Sequence, residues 1–348
     1  MARKKADVEE VELNVDDQII SEHGEVLLSA DQFFAREKPF VSISPAWDYG
    51  TGGGIPVGSW VTLNGKAKAG KTSTLMQFIA NAQNQLGMKG IIVPVEGRLK
   101  LRDQTNIHNL ITSPDALQIL FSTEQNILSA EKQLEILDSK LRSERRLIVL
   151  IDSFSLLMEE DRHAEFGKST RGKLGQLLSA FCARNAHVVP LREHIIMGVT
   201  HTVANTGNSM STRYEKLPSS IAYQNDVKAN HQWMKDPEWI RNNEQIGLCV
   251  KWKIETHAGI VPINREFVSR FLFNYGISHE AEILDFAIDL GIIVKKGAWY
   301  SYGNNDDGNP ALKSQGWDNL FDSIRQEENQ HIYQEIKQKV NNELKYNV

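Results

Sequence analysis

The chain has 348 residues, 41% hydrophobic and 24% charged, with a formal net charge of −5, which excludes a globally basic nucleic-acid coat while leaving room for a local basic groove. No stretch approaches the ~20 apolar residues of a membrane span, and the opening segment MARKKADVEEVELNVDD has no apolar signal core, so a cytoplasmic protein with no membrane partner is expected. Two cysteines, Cys182 and Cys249, lack metal-ligand spacing and are expected to be reduced core residues.

In chain order, residues 1 to about 28 are polar with acidic clusters and read as a flexible arm. Ser29 then caps a predicted helix that starts at Ala30. Residues 43–58 are rich in Gly and Pro and lead into a predicted buried strand over 60–64. A helix follows over 71–86, with Leu75, Phe78 and Ile79 on one face. Further strands are predicted at 90–95, 118–122, 147–151 and 194–200, separated by helices at about 123–142 and 171–186. That alternation implies an α/β fold with a mostly parallel central sheet covered on both faces. After residue 246 the texture changes to β-rich runs at 246–254 and 266–273. A helix at 279–290, a short hairpin through Trp299 and Tyr300, and helices from Trp317 to about Leu344 follow, which together form a small α+β appendage.

Between the first strand and its helix, residues 65–72 read GKAKAGKT, the G-x-x-x-x-G-K-[ST] phosphate-binding pattern. Gly65, Lys66, Ala67, Lys68, Ala69, Gly70, Lys71, Thr72 and Ser73 are the nucleotide-binding candidates. Backbone N–H groups converge on phosphate oxygens, Lys71 reaches the β- and γ-phosphates, and the Thr72 hydroxyl ligates Mg²⁺. The chain therefore reads as an NTPase with ATP and Mg²⁺ as its expected nucleotide and metal. Asp152, at the end of the apolar strand 147–151, is placed to hold Mg²⁺ through water. Glu96, after the strand 91–95, is placed to activate the attacking water; a solvated loop acid is the alternative. His201, at the end of the strand 194–200, is placed to sense the γ-phosphate, with a structural histidine equally open.

Two polar loops carry DNA-binding candidates. Residues 159–173 supply Arg162, Lys168, Arg171 and Lys173 among charges of both signs, with a simple solvated turn as the alternative, and residues 203–220 supply Arg213, Tyr214 and Lys216. Cations beside an aromatic ring suit single-stranded nucleic acid, because cations track phosphates and rings stack on bases. Lys251-Trp252-Lys253 alternates along a predicted strand, so both lysines share one face and Trp252 takes the other.

Taken together these segments resemble RecA-type recombinases, and more particularly the phage UvsX-like branch. The likeness runs from Ser29-Ala30-Asp31-Gln32-Phe33-Phe34 through 43–58 and the nucleotide motifs to 276–285 and to Lys296-Gly297-Ala298-Trp299-Tyr300-Ser301-Tyr302. It implies an N-terminal oligomerisation segment (1–40), a RecA-like P-loop core with two DNA-binding loops (41–274) and a C-terminal α+β subdomain (275–348). It implies a DNA-dependent ATPase that polymerises on single-stranded DNA, pairs it with double-stranded DNA and promotes strand exchange in recombination and repair. The implied partners are both forms of DNA, further copies of the chain in a helical filament, a single-strand binding protein and a loading mediator, with a bacterial host cytoplasm as the location. Residue by residue, the resemblance makes Glu96 the water-activating acid, Asp152 the Walker B acid and His201 the γ-phosphate sensor, a position where bacterial members carry Gln. Lys251 and Lys253 match a pair that reaches a neighbouring subunit's ATP. The loop interior Lys66-Ala67-Lys68-Ala69 is more basic than the family's usual sequence, and Lys100 and Asp103 stand where bacterial members place Asp and Tyr around adenine. A ring-forming helicase or motor ATPase on the same core is the alternative, and a non-hydrolysing recombination mediator a third.

Overall fold

The computed structural model describes residues 19–20, 22–24, 26–36, 38–97, 99–160, 173–204, 213–215, 219–257, 262, 264–304 and 308–344. The chain divides into two units, Met1–Pro39 and Phe40–Val348. In the first, helix α1 (Ala30–Phe34) is closed at its start by the expected cap: Gln32 N donates to Ser29 Oγ, and Ser29 N donates to the Gln32 side chain.

The second unit opens with β1 (Phe40–Val41), α2 (Pro45–Thr51) and β2 (Ile55–Pro56). Helix α2 lies inside a stretch whose sequence reads as an irregular lead-in. Pro45 presets the first turn, Ser44 caps it and Gly52 ends it in the left-handed conformation, so the glycines and proline punctuate a helix. Next come β3 (Trp60–Gly65), α3 (Lys71–Leu86), β4 (Lys89–Val93) and α4 (Leu101–Thr105), then β5 (Leu117–Ile119), α5 (Ala130–Ser143) and β6 (Leu147–Ile151). Strand β4 stops two residues short of the predicted end because Pro94 has no N–H to donate. Strand β5 is centred earlier than 118–122: its partner among the described residues, β4, runs out at the register pair Ile92 and Ile119. Helix α5 begins at Ala130, capped by Ser129, and not at 123, where Thr123 and Asn126 close a turn on each other.

The chain continues through α6 (Lys173–Asn185), α7 (Val188–Leu191), β7 (Ile195–Ala204), β8 (Arg213–Glu215), α8 (Ser219–Gln224), β9 (Val227–His231), β10 (Glu238–Arg241), β11 (Glu244–His257), β12 (Glu266–Leu272) and β13 (Gly276–Ile277). The last elements are α9 (His279–Asp289), β14 (Val294–Lys296), β15 (Trp299–Tyr302), β16 (Leu312–Gln315), α10 (Trp317–Arg325) and α11 (Gln330–Leu344). Strand β16 completes a three-stranded sheet where the sequence predicts only a hairpin.

Among the described residues the central sheet has 11 strands, nine along the path β13-β12-β11-β9-β3-β7-β6-β4-β5, with β10 on β11 and β8 on β7. From β9 to β5 neighbouring strands run parallel, and from β9 to β13 antiparallel. The strands β3, β4 and β6 are almost wholly buried, as a sheet covered on both faces requires. One face packs on α2 and α3 through Trp47, Leu75, Phe78 and Trp252, and the other on α5 and α6 through Leu137, Leu141, Leu178 and Phe181. A third cluster, built on Ile283, Leu284, Phe321, Ile324 and Ile336, holds the C-terminal elements to Trp239 and Cys249. Both cysteines are free and buried, and burial raises their thiol pKa values.

Candidate nucleotide site

Parallel strands that end at one edge of a sheet bring their last residues together. Here β3, β7, β6 and β4 are consecutive: β3 ends at Gly65, Asp152 follows β6, Glu96 lies in the turn after β4, and β7 runs on to Ala204 past the expected end at 200, so that His201 stands where its parallel pairing with β3 stops. Strand β3 enters the loop 65–70, and α3 leaves it. Gly70 starts that helix with φ 77° and no side-chain cap, so the first-turn N–H groups face the loop. Gly65, at φ 154°, meets the end of β9: a Cβ placed on it would stand 2.5 Å from the Cβ of His231. Gly65 is there because a side chain does not fit, and Gly70 because its left-handed φ is one that L side chains rarely adopt.

Lys71 is 4% exposed, and its ammonium donates to the carbonyls of Gly65 at 3.0 Å and Lys66 at 2.6 Å. Burial lowers its pKa, and the charges of Asp152 and Glu96 oppose that shift. Thr72 Oγ1 donates to Asp152 Oδ2 at 2.8 Å, joining the loop to the end of β6. Burial raises the Asp152 pKa; the Thr72 hydrogen bond lowers it, Glu96 raises it further, and His201 and Lys71 lower it. Among the described residues no group of three or more His, Cys, Asp or Glu side chains is arranged to hold a metal ion. A hydroxyl and one carboxylate fit a hard cation that takes its other oxygens from phosphates and water, so the donor set suits Mg²⁺ and not a caged transition metal.

Glu96 lies within a turn closed by Gly97 N on Pro94 O, and its own N–H donates to Asp152 O at 3.2 Å. Across β6, His201 Nε2 and Glu96 Oε1 are 2.9 Å apart. A carboxylate only accepts, so the imidazole nitrogen carries the proton. His201 N donates to Ser155 Oγ at 3.3 Å, which ties the end of β7 to the turn after Asp152. Gly198 in β7 admits the ring of Phe154 from that same turn, and a Cβ on Gly198 would overlap it.

The structure brings the P-loop, Glu96, Asp152 and His201 into one site. Lys251 and Lys253 lie elsewhere on the sheet, on β11, half-buried, with Trp252 fully buried on the other face. Lys251 is ion-paired to Glu266 on β12 at 2.7 Å. Of the DNA-binding candidates, Lys173 begins α6 and pairs with Glu131 at 3.2 Å. The backbone of Arg213 and Tyr214 forms β8, so the segment read as a loop over 203–220 includes a short antiparallel pairing of Ala204 with Arg213 and Val203 with Tyr214. Arg162, Lys168, Arg171 and Lys216 lie outside the described residues. Asp103 accepts from Lys100 N at 2.7 Å and so caps its own helix. The sequence gives no sign of His231, whose place beside Gly65 depends on β9 pairing parallel to β3.

The model of the RecA C-terminal domain family matches residues 281–345. The chain is also similar to bacterial proteins named RecA. It is 28% identical to that of Caldanaerobacter subterraneus subsp. tengcongensis over 298 residues, covering 85% of this chain and 82% of the relative. It is 27% identical to that of Syntrophus aciditrophicus over 308 residues, covering 84% and 80%. It is 28% identical to that of Cutibacterium acnes over 338 residues, covering 93% and 88%.

Proposed function

The chain is a protein of the RecA type, and we propose that it is an ATP-dependent recombinase that polymerises on single-stranded DNA and promotes homologous pairing and strand exchange. The observation that carries this reading is the convergence of Lys71, Thr72, Asp152, Glu96 and His201 at the ends of adjacent parallel strands, with Glu96 hydrogen-bonded to His201. The loop N–H groups and Lys71 bind the phosphates of ATP and neutralise charge on the transferred phosphoryl group. Thr72 and Asp152 hold the metal ion. Mg²⁺ held by these two residues would offset the charge of the phosphates. Glu96 orients and deprotonates the attacking water, and His201 fixes the Glu96 carboxylate.

His201 begins the last four residues of β7, the strand that pairs with β8 and leads into the segment 203–220. Phosphate occupancy at His201 is in this way coupled to that segment, which with 159–173 forms the DNA-binding surface. Lys251 and Lys253 complete the ATP site of an adjacent subunit, so hydrolysis depends on assembly. The phage branch of the family is favoured by His at position 201.

Electron microscopy of the chain with single-stranded DNA and a slowly hydrolysed ATP analogue tests the reading. Open helical filaments are expected. Closed rings would overturn it in favour of a hexameric motor, and turnover that does not rise with single-stranded DNA would overturn the DNA-dependent ATPase.

A further inference from the structure

His231 ends β9, immediately beside the P-loop strand, where Asn64 and Asn230 are register partners. Its β-carbon fills the space that Gly65 leaves, and its ring meets Trp252 edge-on at a centroid distance of 6.2 Å and 87°. Trp252 is fully buried against Trp47. The imidazole is thus fixed on one side by an immobile indole and on the other by the backbone of the phosphate loop. It is half-buried, and among the described residues neither ring nitrogen has a hydrogen-bond partner.

The charges that face it are one-sided. Lys66 and Lys71 approach from the loop and α3, with Asp152 and Glu96 beyond Lys71. From β11 it meets Trp252, whereas Lys251, Lys253 and the Lys228–Glu255 pair sit on the opposite face of the sheet. Burial, then Lys71 and Lys66, hold the imidazole pKa below its ordinary value. Anionic phosphates in the loop would reverse the sign of the local potential and offer acceptor oxygens to an imidazole that has none among the described residues.

We propose that His231 is a charge-sensing positioning residue of the phosphate cradle, which takes up a proton from solvent when the phosphates of a nucleoside di- or triphosphate enter the loop. The inference rests on reading residues 65–73 as a phosphate-binding loop. Because the bound phosphates raise the pKa of this group, nucleotide binding tightens as pH falls through the histidine range. Each unit of rise corresponds to at most roughly tenfold in affinity.

The test is calorimetric titration of Mg-ADP into the full-length chain without DNA at pH 6, 7 and 8, each in two buffers of different ionisation heat, so that proton uptake is read directly. The wild type is expected to take up a fraction of a proton near pH 6 to 7 and little at pH 8. His231→Asn and His231→Gln are expected to lose that uptake and to bind several-fold more weakly at pH 6 while matching the wild type within about twofold at pH 8. Any uptake from His201 remains in both variants. No uptake by the wild type overturns the inference without reference to a variant. Equal uptake in wild type and variants, or a loss of affinity that is the same at every pH, overturns it and reduces His231 to a wall of the loop. Failure of the wild type to bind ADP at all overturns the phosphate-loop reading and this inference together.

Discussion

Glu96 and His201 lie on opposite sides of β6 and meet above its end, 2.9 Å apart, where the Glu96 N–H also holds the Asp152 carbonyl. Three strand ends are thereby locked in one network.

Glu96→Gln keeps the size of the side chain and an acceptor for His201 but removes the base. Mg-ATP affinity should stay within a few-fold of wild type while DNA-stimulated turnover falls by roughly 10²-fold or more. Single-turnover hydrolysis and equilibrium nucleotide binding separate the two effects. Loss of binding without a selective loss of turnover would make Glu96 structural.

His201 is tested by a pair of substitutions. His201→Gln retains an N–H donor for Glu96 and should keep turnover within a few-fold. His201→Ala removes a hydrogen bond to a charged group, an interaction of about 1.5 to 3 kcal/mol, and should lower turnover by about one to two orders of magnitude. Equal losses in the two variants would show that the hydrogen bond is not what matters at this position.

Most of the nucleotide site is legible in the sequence because each of its residues stands at the end of a strongly marked local element. The strand 147–151 is an unbroken apolar run, and α3 is bounded by Gly70 and Gly87, so Asp152, Lys71 and Thr72 can be placed without tertiary information. Strand β9 is different. Only Val227 and Ala229 carry its alternation, and its identity as a central strand comes from pairing with β3 far upstream. His231 is illegible for the same reason, since the glycine that makes it informative belongs to the partner strand. The bond between Glu96 and His201 is illegible as well, because the order of β4, β6 and β7 in the sheet is set by packing and not by local pattern.

Glu282 is fully buried at the start of α9, where it accepts from Ala46 N, Ser269 Oγ and Arg270 N and so joins α9 to α2 and β12. Burial raises its pKa to about 7, against the lowering effect of those hydrogen bonds. A carboxyl with a raised folded-state pKa stabilises the fold fully below its unfolded value, and the contribution is lost as pH rises through about 7. The loss amounts to up to about 3 kcal/mol. Glu282→Gln does not titrate, so its destabilisation, measured by denaturant unfolding, should be larger at pH 5 than at pH 8. A difference that does not change with pH would remove Glu282 from the pH dependence of stability.

The pair on β11 separates an ATPase completed between subunits from one whose site is self-contained. Lys251 is ion-paired to Glu266 on the neighbouring strand, and β9, β3 and β7 stand between β11 and the strands that lead to Asp152 and Glu96. Lys251→Ala/Lys253→Ala should therefore leave Mg-ADP binding by the free chain within about twofold of wild type, while DNA-stimulated turnover falls by one to two orders of magnitude. Mixing this double variant with Glu96→Gln protein decides the matter. A junction is complete when the lysine variant supplies the P-loop and Glu96 and the Glu96→Gln subunit beside it supplies the lysines. Mixed assemblies should recover turnover that neither protein has alone, with a maximum near equal proportions. If assemblies shown to contain both proteins recover nothing at any ratio, the lysines serve only the strand pairing of their own subunit, and the ion pair with Glu266 is their whole function.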